Sequence, residues 1–384
     1  MAKTRPQKSG SSKRKDKKRQ KSLLNTTGGL SSNPLAPAAI EDITTLLAAA
    51  GALLHVQHEP LEALTVATRA LQQDPNSLPT LELLAEIQVE LGDVETAHTL
   101  YSRAATLDPS GNHESAGGSG PEKFLWLAQL APSGGEEAVR WYEIGAEVLR
   151  RFVSLRDSGA HQDLAERALE KKLVSALCGL AEIYMSDLCM EPDAEARCEA
   201  YVTEALLAAP ESCEALQTLA SVRISQERVD DAVAALQRAV KELEQEGAEL
   251  PSYAVRIGLA RLLIETAQYE SAIDVLERLQ VEDDQLPDLW YLGGWTLFLL
   301  GERERGNREG WAEFWEAARE WLGTCQQLYK ALDWEDEGIR DHTIELLAKI
   351  AEVVPETAEK EDEDAVEVDE GEWESDNDDE MKDS

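Results

Sequence analysis

Between Thr44 and Gly111 the apolar residues recur every three or four positions, in four runs parted by short polar breaks: TLLAAAGALLH, LEALTVATRAL, LELLAEIQVEL and VETAHTLYSRAATL. That spacing is the period of an amphipathic helix, so the stretch predicts four helices in two hairpins. The two hairpins are copies of each other. Pro75 and Pro109 are 34 residues apart, as are Ala63 and Ala97, Ala70 and Ala104, and Gly51 and Ala85. Small residues at these points let the two helices of a hairpin approach closely and let the next hairpin stack on them. The prolines end the second helix, because proline lacks an N–H and clashes with the preceding turn. One such hairpin cannot bury its apolar face alone, so more units are expected downstream.

They follow, less regularly. After a break, GNHESAGGSGP at Gly111–Pro121, a helical pattern returns at Phe124–Ala128, with a partner over Glu136–Leu155 carrying Ala138, Tyr142 and Gly145. A fourth unit starts with a long helix over Asp163–Asp187, and its partner holds Cys198, Val202, Ala205 and Pro210. The loop DLCMEPDAEA lengthens this unit. Units five (Leu216, Ala220, Ala232, Leu236, Ala239) and six (Leu259, Ala260, Ala272, Leu276) are regular. Unit seven opens LWYLGGWTLFLLG and continues in a long, Trp-rich helix from about Asn307 to Leu332. Asp336–Val354 reads as a final amphipathic helix that caps the apolar end. No strand pattern is evident. A period of 34 with small residues at fixed points is the tetratricopeptide signature. The expected class is all-α, a tetratricopeptide-repeat solenoid of about seven helical hairpins plus a C-terminal capping helix.

Charge divides the chain into three parts. The net charge is −38 over 384 residues, yet residues 1–30 hold ten Lys and Arg against one acid. Residues 356–384 hold sixteen acids against two Lys. Residues 1–38 are therefore expected to be a disordered basic segment, 39–354 the repeat superhelix and 355–384 a disordered acidic tail. The basic run Lys13, Arg14, Lys15, Lys17, Lys18 and Arg19 is a candidate nuclear-import signal, with a merely solubilising tail as the alternative. The body between is itself acidic. Such a field repels nucleic acid and attracts cationic partners, so no direct nucleic-acid binding by the repeats is expected. The five cysteines form no CxxC pair, no signal peptide is read, and no apolar run reaches the ~18–20 residues of a membrane span. A reducing compartment, cytoplasm and nucleus, is expected.

No active site is marked. His55 and His58 lie three apart on a helix without the three or four ligands a metal needs. The glycines at 117–120 follow no strand, so they form no phosphate loop. The expectation is no catalytic, cofactor or metal site, hence no enzyme.

In tetratricopeptide proteins the first helix of each hairpin lines the concave surface, and the second, fifth, ninth and twelfth residues of each unit point into it. Carried onto this sequence, those positions give Glu82, Glu86, Glu122, Glu182, Glu214, Gln217, Asp288, Tyr291 and Trp295 as candidate partner-binding residues, with Arg261 interrupting the set. The groove is expected to be acidic with an aromatic end. The repeat domains that hold heat-shock-protein C-termini carry Lys, Asn and Arg at such positions, and this chain does not. The tryptophans Trp290, Trp295, Trp311, Trp315, Trp321 and Trp334 have the spacing of core and hairpin packing; an aromatic docking surface is the other reading.

A closer resemblance is carried by ALTVATRALQQDPNSLPTLELLAEIQVELGD, PDLWYLGGWTLFLLGE and EVDEGEWESDNDDEM, together with the basic head and acidic tail. These are similar to the fungal dedicated assembly chaperones of the fourth large-subunit ribosomal protein. The resemblance implies a protein that captures a newly made, basic ribosomal protein by its long internal loop, keeps it soluble and escorts it to nuclear pre-ribosomes. An import receptor is a further implied partner. The irregular third and fourth repeats and the glycine break depart from an even repeat array. A generic repeat scaffold for a multiprotein complex is the alternative, with a partner that need not be basic and binding weakly dependent on salt; an enzyme subunit is the third.

Overall fold

The structure, a computed structural model, describes residues 42–111, 120–156, 164–245, 250–306 and 310–355. The basic head, the import candidates Lys13 to Arg19, most of the glycine break and the acidic tail lie outside the described residues. Those described form fifteen helices and no strand. They fall into two compact units, divided after Gly118.

The first unit holds α1 (Ile43–His55), α2 (Pro60–Gln73), α3 (Leu78–Glu90) and α4 (Val94–Leu107). The repeated alanines Ala63, Ala70, Ala85, Ala97 and Ala104 are all fully buried. Ala50 and Leu54 of α1 pack with Ala63 and Ala67 of α2 and with Leu84 and Ile87 of α3, so the second hairpin completes the core of the first. Arg103 clips the hairpins together by donating to the Pro75 carbonyl at 2.6 Å, an acceptor left over where α2 ends.

The second unit holds five hairpins and a last helix: α5 (Glu122–Gln129) with α6 (Gly135–Arg156), α7 (Leu164–Met185) with α8 (Ala194–Ala208), α9 (Cys213–Ser225) with α10 (Val229–Leu243), α11 (Tyr253–Glu265) with α12 (Tyr269–Glu282), α13 (Pro287–Glu304) with α14 (Trp311–Ala331), and α15 (Glu337–Val353). The first helices form a layer in chain order, α7 against α9, α9 against α11, α11 against α13 and α13 against α15. The core runs between this layer and the second helices, through Leu216, Ala220, Leu236, Ala239, Leu259, Ala260, Ala272 and Leu276. Arg238 donates to the Pro210 carbonyl at 3.2 Å, the same 28-residue clip as Arg103 and Pro75.

The irregular hairpins have local causes. α5 is only 8 residues long. The turn after it passes through Gly134 and Gly135 at φ +58° and +41°. The Asp187 carboxylate accepts from the Gly135 N–H at 3.0 Å, supplying an anion to the start of α6 from 52 residues away. At the other end, α14 begins at Trp311 rather than near Asn307, because Gly310 sits in the left-handed region at φ +89°. α15 matches its expected span, with the Asp336 carboxylate accepting from the Ile339 N–H at 3.0 Å. Thr343, Leu346 and Ile350 form its buried face. Its Leu346 and Ile350 join the cluster of Leu297, Phe298, Trp315 and Leu322, which is where a terminal helix must cover an apolar end.

All five cysteines are unbridged, and four are buried. Burial pushes the Cys178 thiol up to about 12, so it is an inert packing group. Among the described residues no helix is long and apolar enough to cross a membrane, and no group of His, Cys, Asp and Glu could hold a metal ion.

Candidate partner-binding surface

The first unit contributes Glu82 and Glu86, one turn apart on α3. The sequence pattern expects both to face a partner. Glu86 is half-buried, 3.8 Å from His55 Nε2. Glu82 is only 8 % exposed, with Leu81, Leu84 and Ala85 around it in the chain all buried.

The second unit places the remaining candidates along the layer of first helices. Glu122 of α5 is in an ion pair with Lys172 of α7. Asp288 of α13 accepts from Arg261 Nη2 of α11 at 2.6 Å. The basic residue that interrupts the acidic set is thus matched by one of the acids. Glu182 of α7 and Glu214 of α9 have no such cation among the described residues, and each is close enough to matter to the titration of its neighbours. Burial, then the charge of Glu214, raises the pKa of Glu182; burial raises that of Glu214 despite a hydrogen bond from Ser175. Gln217 lies one turn beyond Glu214 and is buried, 9 % exposed, against Gly258 of α11, where a Cβ would stand 3.0 Å from the glutamine Oε1.

Tyr142 closes this part of the face. Its ring lies against Gly179, where a Cβ would come within 3.1 Å of its Cζ and Oη. Burial raises its pKa, with Glu182 and Glu214 adding to the effect and a hydrogen bond with Gln129 opposing it. Tyr142 escapes a reading confined to first helices, since it sits on α6, a second helix. Lys172 escapes it too: the twelve-residue arithmetic of a regular unit fails on the 22-residue α7.

Two of the candidates on α13 are aromatic. Tyr291 and Trp295 lie one turn apart on α13, with rings 6.0 Å apart and inclined by 21°. His342 of α15, not anticipated, meets both edge-on, and its Nδ1 is 2.8 Å from the Tyr291 hydroxyl. Most other tryptophans are structural. Trp315 is 2 % exposed and stacks on Phe298. Trp290 packs on Trp321 at 4.9 Å, and Trp311 meets Trp315 edge-on at 5.4 Å. Trp334, at 36 %, is exposed.

The arrangement holds charge and aromatic surface. No protein-family model matches the chain. A known protein of Emericella nidulans, described as "Probable assembly chaperone of rpl4", is 40 % identical over 410 residues, spanning 100 % of both chains. The chain belongs to the family of the rpl4 assembly chaperones. A Schizosaccharomyces pombe member with the same description is 37 % identical over 336 residues, 85 % of this chain and 95 % of its own. Among solved structures, "Assembly Chaperone of RpL4 (Acl4) (Residues 1-338)" superposes with a TM-score of 0.61 at 41 % identity, covering 69 % of this chain and 98 % of that one. The resemblance read from the sequence is borne out for the rpl4 assembly chaperones as a family, and so is the all-α repeat fold.

Proposed function

We propose that this chain is a dedicated chaperone of the large-subunit ribosomal protein named in its relatives, rpl4. It binds the newly synthesised, basic client by a long internal loop along the acidic face of its first helices, keeps it soluble and escorts it to nuclear pre-ribosomes. Its work is non-catalytic. The observation that carries this reading is the pair Glu182 and Glu214. They are two carboxylates on adjacent helices, both disfavoured by burial, in a face where the other acids of the second unit, Glu122 and Asp288, already have a cation. A basic loop supplies the missing countercharge. Each exposed ion pair contributes only ~0.2–1 kcal/mol, more where water is excluded, so several together give a complex that is tight yet releasable. Ribosomal RNA, with denser charge, then competes for the loop at handover.

The basic run Lys13 to Arg19 fits an import signal for the escorted complex, read by an import receptor, and both cytoplasm and nucleus follow as the places of work. The test is direct: purified client is bound to the wild-type chain and to a Glu182→Lys, Glu214→Lys variant, and ribosomal RNA is then added. The reading expects the double reversal to abolish binding and RNA to displace the client from the wild type. Unchanged affinity and a client that RNA leaves in place would refute it.

A further inference from the structure

α15 is a first helix without a second. It packs on α13 in the layer of first helices, and no helix follows it among the described residues. In a complete hairpin the second helix covers the first, as Ala63 and Ala67 of α2 pack with Ala50 and Leu54 of α1. On α15 the side away from the core stays bare: Ile344, Ala348 and Ala351 are exposed at the four- and three-residue spacing of one helix face. Ile344 is 49 % exposed and also lines a cavity of about 340 Å³ between α14 and α15, together with Arg340 and Thr343 of α15 and Cys325, Tyr329 and Asp333 from the α14 side. Cys325 and Thr343 close its floor, with Sγ 3.8 Å from Oγ1. His342 and Ile344 are two residues apart, ~200° around the helix. The cavity therefore opens on the side of α15 turned away from Tyr291 and Trp295, which His342 touches. It is a different surface from the face of the first helices.

We propose that this groove docks an amphipathic helix of a partner protein. The partner's apolar stripe lies along Ile344, Ala348 and Ala351, one bulky aliphatic side chain enters the cavity, and Lys or Arg beside that stripe meets Asp333 and Glu335. A helix fits better than an extended segment. The backbone groups of α15 are bonded within the helix and leave no edge for a strand to pair with, whereas a helix needs only a side-chain stripe to lie on. Charge sets the sign of the flanks. Residues 330–341 hold five acids, Asp333, Glu335, Asp336, Glu337 and Asp341, against Lys330 and Arg340. Arg340 is already matched, with Nε 2.8 Å from Asp341 and Nη1 3.7 Å from Glu337. Asp333 and Glu335 are exposed, and neither is in an ion pair among the described residues. The C-terminal end of α14 adds its own partial negative charge at the same place. A cationic flank is therefore attracted here, and an acidic one is repelled.

The test uses the full chain and a dye-labelled synthetic peptide of leucine and lysine with leucine at helical spacing, read by fluorescence anisotropy. Two further peptides serve as references: the same residues in scrambled order, and a version with glutamate in place of lysine. The wild-type chain is compared with Ile344→Asp, with Ala348→Glu and with the pair Asp333→Lys, Glu335→Lys, and melting temperatures are taken alongside. The proposal expects the helical lysine peptide to bind at least about tenfold more tightly than either reference, and each variant to remove about tenfold of that affinity while melting close to the wild type. Ala348→Glu, on the exposed stripe, decides the matter if Ile344→Asp melts much lower. A scrambled peptide that binds as tightly, or variants that fold and keep full affinity, would overturn the proposal. Two other occupants would overturn it as well. Slow hydrogen exchange over residues 356–384 of the free chain, lost in Ile344→Asp, would give the groove to the chain's own tail. A dimer that the same variant dissolves would give it to a second copy. The chaperone reading stands or falls separately, on binding of rpl4.

Discussion

The indole of Trp315 fills the space that a side chain on Gly301 would need: a Cβ there would stand 2.3 Å from the indole Cδ1. Two more glycines of α13 are alike. A Cβ on Gly293 would meet Trp321 at 2.1 Å, and one on Gly294 would meet Leu322 at 2.6 Å. Trp315 cannot retreat, since it is buried, stacked on Phe298 at 4.8 Å and donates from Nε1 to the Phe298 carbonyl at 3.0 Å. Gly301→Ala should therefore destabilise the second unit by about 1–3 kcal/mol, the usual cost of overpacking, despite alanine's better helix propensity. Thermal unfolding checks this, and an unchanged or raised melting temperature would show that α13 and α14 have room to part.

A second prediction concerns turns. The step between the two helices of a hairpin passes through the left-handed region at His58, Gly92, Glu227 and Ala267, with φ of +54°, +78°, +59° and +57°. Only Gly92 is of the type that region favours. At Ala267 the following N–H, of Gln268, donates to the Leu263 carbonyl at 2.8 Å, so the turn is fixed by the helix end. Ala267→Gly should stabilise the fold by about 1 kcal/mol, since a Cβ in this region costs ~1–2 kcal/mol and glycine gives part of that back as unfolded-state entropy. Denaturant unfolding at constant m-value would report it.

A third sets stability against binding. Burial raises the Glu182 and Glu214 pKa values, so the folded chain holds these protons more tightly than the unfolded chain does. The charged pair therefore opposes folding above the raised folded-state values, and the penalty fades as pH falls towards the unfolded-state values. Glu214→Gln should melt higher than the wild type at pH 7, with the difference shrinking as pH approaches 4, while client affinity falls. A lower melting temperature at neutral pH would mean that Glu214 is structural.

The opposite sign holds one hairpin edge away. Glu199 accepts from Arg223 Nη2 at 3.1 Å and from Gln226 Nε2 at 3.0 Å, and the Arg223 hydrogen bond, helped by that from Gln226, outweighs burial and holds its pKa below the usual glutamate range. Its contribution is present above the unfolded-state value and is lost as pH falls through the lowered one. Arg223→Ala should cost about 1 kcal/mol at pH 7, allowing for solvent screening of the partly exposed carboxylate, and less in acid. Melts across pH 3–7 would show the two curves converging, and parallel curves would refute the link.

The fold was legible where the period was kept. Ala63, Ala70, Ala97 and Ala104 could be read as buried because a 34-residue spacing repeated them, and Asp336 could be placed at the start of α15 because the apolar stripe begins just after it. The site was less so. Which helix face points inward follows from position in the unit, which gave Glu182, Glu214, Tyr291 and Trp295. Whether a carboxylate is already matched depends on neighbours far away in sequence. Glu122 meets Lys172 50 residues on, and Asp288 meets Arg261 27 residues back, so charge counting along the chain overstated the acid free to bind a partner. His342 was missed because a capping helix belongs to no unit of the period.

The central claim is that this chain holds one basic ribosomal protein by charge. The most direct measurement is to recover the tagged chain from cytosol at low and at high ionic strength and identify the bound proteins by mass spectrometry. The account predicts one dominant partner, the large-subunit protein rpl4, without the rest of the ribosome, retained at low ionic strength and lost at high. Several non-basic partners, held equally at both, would contradict it and favour a general scaffold.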